Sequence, residues 1–209
     1  MAKTTENNVN TKKRILDVAT ELFANKGFEG TSTREICQTA GVNISLISYY
    51  FGGKQELYHK IIESITSSII VHMSSLSIIV DDFDNLSKDK KIELFLQAIE
   101  KMIDFFYSDA MSNSKILLLV KEQMTSSVTL NSIGYKMFKR LLASILEKDE
   151  NDKEVIFRSL TIIGQINSAR ILTQFSLKFL NQEKYTAQDI QMIKDISISQ
   201  TRSILEGVG

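Results

Sequence analysis

The chain has 209 residues, 43% hydrophobic and 24% charged, which is enough to bury a real core as one large domain or as a small one beside a medium one. Its formal net charge is zero, so no global basic excess announces nucleic acid, and the absence of proline fits a chain made almost wholly of helices. A single cysteine, Cys37, excludes an internal disulfide and suits a reducing compartment. The opening MAKTTENNVN has no apolar signal-peptide core, and the longest apolar run, Ile116 to Val120, falls far short of the ~20 residues that span a bilayer, so a soluble, cytoplasmic protein is expected.

Residues 1–10 are polar and read as a frayed arm. A first helix is predicted from about Thr11 to Asn25, where Ile15, Val18, Ala19, Leu22 and Phe23 keep the stripe of a surface-packed helix. Lys12, Lys13 and Arg14 fall in its first turn, where cations oppose the helix dipole; a DNA phosphate or plain solvent would relieve them. The next stretch, Gly27 to Lys54, holds five of the nine glycines and two short apolar-periodic segments punctuated like a helix-turn-helix. Ser32 to Glu35 has the capping-box pattern, Ile36 and Ala40 give one buried face, Gly41 suits a left-handed C-cap, and Asn43 suits the next N-cap. In the second segment Ile47, Tyr50 and Phe51 share a face, which leaves Ile44, Ser45, Ser48 and Tyr49 outward. Such a helix can enter a DNA major groove, and it can equally be an ordinary helical corner. Cys37 lies in the first of the two helices, as a buried filler or a redox-sensing thiol. A local charge count points weakly toward DNA: residues 1–60 hold eight Lys/Arg against six Asp/Glu.

The residues of this stretch carry a resemblance. Thr11 to Phe28 reads T-x-x-x-I-x-x-x-A-x-x-L-F-x-x-x-G-F, followed by T-S-T-x-x-I from Thr31, A-G-V-N from Ala40 and Y-Y-F-G-G-K from Tyr49. Together these resemble the N-terminal domain of TetR-type (tetracycline repressor family) transcriptional regulators, over the first quarter of the chain. The resemblance implies an all-α protein of about nine helices: a three-helix DNA-binding domain at residues 1–54, with the arm at 1–10, then a larger helical effector-binding and dimerisation domain at residues 55–209. It implies a repressor, not an enzyme, that binds a near-palindromic double-stranded DNA operator as a homodimer and is released by a small-molecule effector. Carried over by position, Ser32 and Thr33 would hold phosphate, Arg34 would reach base or phosphate, and Ile44, Ser45 and Leu46 would open the recognition helix. Ser48, Tyr49 and Tyr50 would lie further along it, and Lys54 would complete the phosphate contacts. Ile44 and Leu46 depart from the polar or small residues of many relatives; apolar side chains meet thymine methyls but make no hydrogen bonds.

Downstream, Lys54 opens a fourth helix with Leu57, Ile61, Ile65 and Ile69 along one face, broadened by Tyr58 and Ile62. A loop is predicted near Asp81 to Ser87, whose acidic residues match no full calcium loop. Helices follow over Lys88 to Tyr107, Ser114 to Met124 with the all-round apolar run ILLLV, and Leu130 to Glu147. Two long final helices, residues 153–180 and 186–205, carry apolar faces with interspersed small residues and suit the family's dimer interface. Phe105, Phe106, Met124, Tyr135, Phe138 and Phe175 are candidates for an apolar effector pocket, with Asn167 and Arg170 as polar orienting groups; each is also an ordinary core or surface position. No metal, cofactor or membrane partner is expected. His59 and His72 are the only histidines and fit no metal or nucleophile spacing, which disfavours a helical enzyme; a helical protein-interaction adaptor is the remaining alternative.

Overall fold

A computed structural model describes the backbone of residues 2–73, 83–125 and 133–207 and the side chains of residues 9–72, 83–122 and 135–207. Among the described residues there are ten α-helices and no strand. They are α1 (Ala2–Lys26), α2 (Thr33–Ala40), α3 (Ser45–Phe51), α4 (Lys54–Met73), α5 (Lys88–Phe106), α6 (Asn113–Thr125), α7 (Ile133–Leu146), α8 (Lys153–Ile171), α9 (Thr173–Leu180) and α10 (Ala187–Glu206). A 3-10 turn at Phe83–Asn85 precedes α5. Among the described residues no helix is long and apolar enough to cross a membrane.

The chain divides into two compact units, residues 1–67 with 114–126, and residues 68–113 with 127–209. The first therefore contains the whole of residues 1–54, most of α4 and most of α6. Its core is Ile15, Ala19 and Phe23 of α1, Ile36 and Ala40 of α2, Ile47 of α3, and Leu57, Ile61 and Ile65 of α4. Cys37 is buried among them, and burial pushes its thiol up, so it is an inert filler rather than a reactive thiol. In the second unit α5, α7, α8 and α10 pack around Phe95, Ile99, Ile103, Leu142, Ile145, Ile162 and Ile166. Polar clamps tie α10 to its neighbours: Lys194 pairs with Asp104 of α5 at 2.6 Å, and Gln165 Nε2 of α8 donates to Thr201 Oγ1 at 2.6 Å.

Several boundaries differ from the sequence expectations. Helix α1 begins at Ala2, not near Thr11, because no glycine or proline interrupts the polar residues and extending a formed helix costs far less than nucleating one. Lys12, Lys13 and Arg14 thus sit mid-helix, clear of the dipole. The long segment 153–180 is two helices, broken at Leu172 (φ −98°, ψ 29°). Just past the break, the hydroxyls of Thr173 and Ser176 bond back to carbonyls of the preceding turn, a pattern that bends helices. The run ILLLV is not buried all round, since Leu117 is exposed while Ile116, Leu118 and Leu119 are buried. Asp84, from the acidic stretch, pairs with Arg140 at 3.0 Å and accepts from Ser144; Asp81 and Asp82 lie outside the described residues.

Candidate nucleic-acid interface

Helix α1 ends at Gly27 (φ +76°), and the buried Thr31 hydroxyl closes that end by donating to the Gly27 carbonyl at 2.8 Å. Ser32 is the N-cap of α2, its Oγ accepting from the Glu35 amide at 3.1 Å. Only half of the expected capping box forms, because the Glu35 carboxylate pairs with Lys26 instead of turning back to Ser32. Gly41, at φ +62°, ends α2 with the Val42 amide on the Cys37 carbonyl, as a Schellman closure requires. Asn43 Oδ1 then accepts from the Ser45 amide (3.0 Å) and hydroxyl (2.9 Å), and Ile44 already has helical torsions. Asn43 thus satisfies the orphan donors of α3, as its sequence position suggests.

Seven residues cannot hold a helix alone, and α3 is fixed from behind by Ile47 and Phe51. Lys12 Nζ stands 5.7 Å from the centre of the Phe51 ring, and Lys54 Nζ 4.2 Å from that of Phe28. The outer side carries Ile44 (52% exposed), Ser45, Ser48 and Tyr49 (76% exposed). Leu46 and Tyr50 are half-buried on its flanks, and the Tyr49 and Tyr50 rings meet edge to face at 5.0 Å. Arg34 and Ser32 are exposed and Thr33 half-buried at the start of α2; among the described residues Arg34 forms no ion pair. The ten proposed contact residues thus lie at the start of α2, along α3 and at the start of α4, within one unit.

A family model for bacterial regulatory proteins of the tetR family matches residues 15–61, and one for the C-terminal domain of the HTH-type transcriptional dual regulator CecR matches residues 92–208. The chain belongs to the TetR family of transcriptional regulators. Similar relatives include the probable HTH-type transcriptional regulator YttP of Bacillus subtilis, 28% identical over 85% of this chain and 83% of that protein. CecR of Shigella flexneri is 26% identical over 94% of this chain and 92% of its own. The fold also matches a TetR-like transcriptional regulator from Rhodococcus sp. RHA1, with a TM-score of 0.65 at 17% identity over 94% and 96% of the two chains. TetR-family membership makes this chain a DNA-binding regulator, not an enzyme.

Of the eight candidate effector residues, the seven with described side chains are spread over α5, α7, α8 and α9. Phe105 and Phe106 are buried, with Phe105 stacked on the His72 ring at 4.7 Å. Phe138 is buried against Phe95, and the Tyr135 hydroxyl lies 3.2 Å from Ser159 Oγ. Phe175 is on the surface, 61% exposed, with its ring 4.6 Å from that of Phe179. The side chain of Met124 lies outside the described residues. Among the described residues, Asn167 Oδ1 and Arg170 Nε are both buried without a hydrogen-bond partner. Sequence reasoning missed Tyr185, whose ring meets that of Tyr107 edge to face at 5.6 Å; a lone tyrosine in a polar connection gives no periodic signal.

Proposed function

We propose that this protein reads a near-palindromic DNA operator as a cytoplasmic homodimer, represses from it, and is released when a small molecule binds its second unit. The observation that supports DNA reading most directly is the outer face of α3, where Ile44, Ser45, Ser48 and Tyr49 are exposed on a helix locked from behind. Its N-terminal side chains would meet base edges, while Ser32, Thr33, Arg34 and Lys54 hold phosphates. Two copies must present these helices about 34 Å apart to read both half-sites. The second unit supplies a surface for that pairing: α8 exposes Phe157, Leu160 and Ile171, α9 exposes Phe175 and Phe179, and α10 exposes Met192 and Ile196. An apolar surface of this extent suits burial between subunits. Release follows from linkage, since a ligand that prefers a state with the wrong head spacing must lower DNA affinity reciprocally.

The test is binding of the full chain to the DNA upstream of its own gene across a salt series. Affinity is expected to fall steeply with salt, as counterion release demands and as an apolar protein-docking groove would not. Tyr49→Ala is expected to abolish binding and Arg34→Ala to weaken it measurably, both with fold and dimer intact; normal binding by both variants would remove the proposed contact face. A second reading, activation as well as repression, is favoured by the CecR C-terminal-domain match over residues 92–208, since CecR is described as a dual regulator. Deleting the gene would then raise some transcripts and lower others.

A further inference from the structure

The second unit contains a cation that its own described side chains leave without a counter-charge. Arg170 lies in the last turn of α8 and donates through one terminal nitrogen to the Met111 carbonyl. Its guanidinium carbon stands 5.6 Å from the centre of the Tyr107 ring. Among the described residues no carboxylate pairs with it. Among the described residues its Nε is buried with no acceptor, and the buried Tyr107 hydroxyl, close to the Arg170 backbone N–H, has no acceptor for its own proton. Tyr185 closes one side of the cluster, its hydroxyl spent on the Ala169 carbonyl at 2.7 Å and on Ser176. Burial pulls the Arg170 pKa down against the neighbouring tyrosines, and it holds the Tyr107 phenol well above the usual tyrosine range.

Buried donors and buried charge are costly unless something accepts them. Here one guanidinium N–H and one phenol O–H are without an acceptor among the described residues, and a full positive charge goes with them. Two donors and one cation match a monoanion with two oxygens better than a phosphate, which carries more charge and needs more donors. Tyr107, Arg170 and Tyr185 are each only half-buried, so the cluster lies just beneath the surface, and a solute reaches its buried donor atoms when these side chains shift. Three residues earlier on α8, the orphaned Asn167 Oδ1 would accept an N–H or O–H from the body of such a molecule.

We propose that Arg170 and Tyr107 bind the carboxylate of a small organic acid, which makes the effector an organic monoanion. The effector role rests on the regulator reading above; the binding does not.

The experiment follows thermal unfolding of the full chain in sodium formate, acetate, benzoate and octanoate, with ionic strength held by sodium chloride and with formamide and acetamide as neutral counterparts. Formate and acetate are included because no tail shape excludes them. The carboxylates are expected to raise Tm in a saturable way, and the amides to leave it unchanged. Arg170→Gln, which keeps an amide able to reach the Met111 carbonyl, and Tyr107→Phe should each move half-saturation at least tenfold. Three results overturn the proposal: no shift with formate or acetate; equal shifts in the wild type and Arg170→Gln, meaning a general salt effect; or inert carboxylates with Arg170→Gln becoming monomeric, meaning that a second copy supplies the counter-charge. Operator binding is measured on the same samples by fluorescence anisotropy. A carboxylate shift without DNA binding upholds the site and sinks the regulator reading, and DNA binding without a carboxylate shift does the opposite.

Discussion

The Tyr58 hydroxyl donates to Glu122 Oε2 at 2.7 Å, joining two residues 64 positions apart in the chain. Both belong to the first unit, Tyr58 on α4 and Glu122 on α6, and Glu122 is buried. The Tyr58 ring also meets Phe23 and Phe28 edge to face, at 5.2 and 5.3 Å. Next to Glu122, Lys121 Nζ donates to the Ala24 carbonyl at 2.5 Å. Two charged residues of α6 thus hold it to α1 and α4, and a segment from the middle of the sequence completes the DNA-binding unit.

Removing that phenol should be costly. Tyr58→Phe deprives a buried carboxylate of a donor and is expected to lose about 1–3 kcal/mol of stability. Glu122→Gln keeps an acceptor in place and should lose less. Urea unfolding of the two variants checks the order, and a neutral Tyr58→Phe would mean the bond contributes nothing net.

The same phenol sets a limit at high pH. Burial, helped by Glu122, raises the Tyr58 pKa above its ordinary 10.0, and burial does the same to Tyr107. Below pH 10 both residues are protonated in folded and unfolded chains, so their contribution is fully present. As the pH rises above 10 the unfolded chain ionises first, and stability is lost until the folded pKa is passed. Unfolding midpoints from pH 8 to 11 should fall above pH 10, and more shallowly in the Tyr58→Phe, Tyr107→Phe double variant.

Gly30 is required by a close approach. A Cβ built on it meets the Lys26 carbonyl oxygen at 2.4 Å, a backbone atom that cannot step aside cheaply. Gly30→Ala should cost about 1–3 kcal/mol through distortion at the end of α1, and should weaken DNA binding with it. A wild-type melting curve for this variant would show that the turn relaxes freely.

At the contact face, stability and binding should separate. Tyr49 is 76% exposed, so Tyr49→Ala should change stability by no more than about 0.5 kcal/mol while DNA binding is lost. If Arg34 contacts phosphate, Arg34→Ala should also reduce the slope of log affinity against log salt by roughly 1, as one lost phosphate contact predicts. An unchanged slope would place Arg34 away from phosphate.

The proposed subunit interface is open to one substitution. Leu160 is exposed on α8, three residues from Phe157, and both project from the face that carries Gly164. Leu160→Glu should yield a folded monomer by light scattering, with full helical circular dichroism and weakened operator binding. A persistent dimer would place the interface elsewhere.

By itself the sequence determined the helical class, the α2–α3 pair and the outward residues of α3. Those features follow from local rules: helical period, a hydroxyl or amide at each helix start, and a left-handed glycine at Gly41. The family pattern lies in the same local stretch, so it was legible as well. What the sequence left open depends on partners distant in the chain. Nothing local to Glu35 says that its carboxylate prefers Lys26 to the Ser32 amide, and nothing near Leu172 marks a break until the Thr173 and Ser176 hydroxyls find carbonyls in the turn before. Arg170, Tyr107 and Tyr185 come together only because three separate segments fold onto one another, and α6 joins the first unit only through contacts with residues far earlier in the chain. Short-range backbone preferences can be read residue by residue; which buried charge meets which partner is decided only when the packed chain removes water from around it.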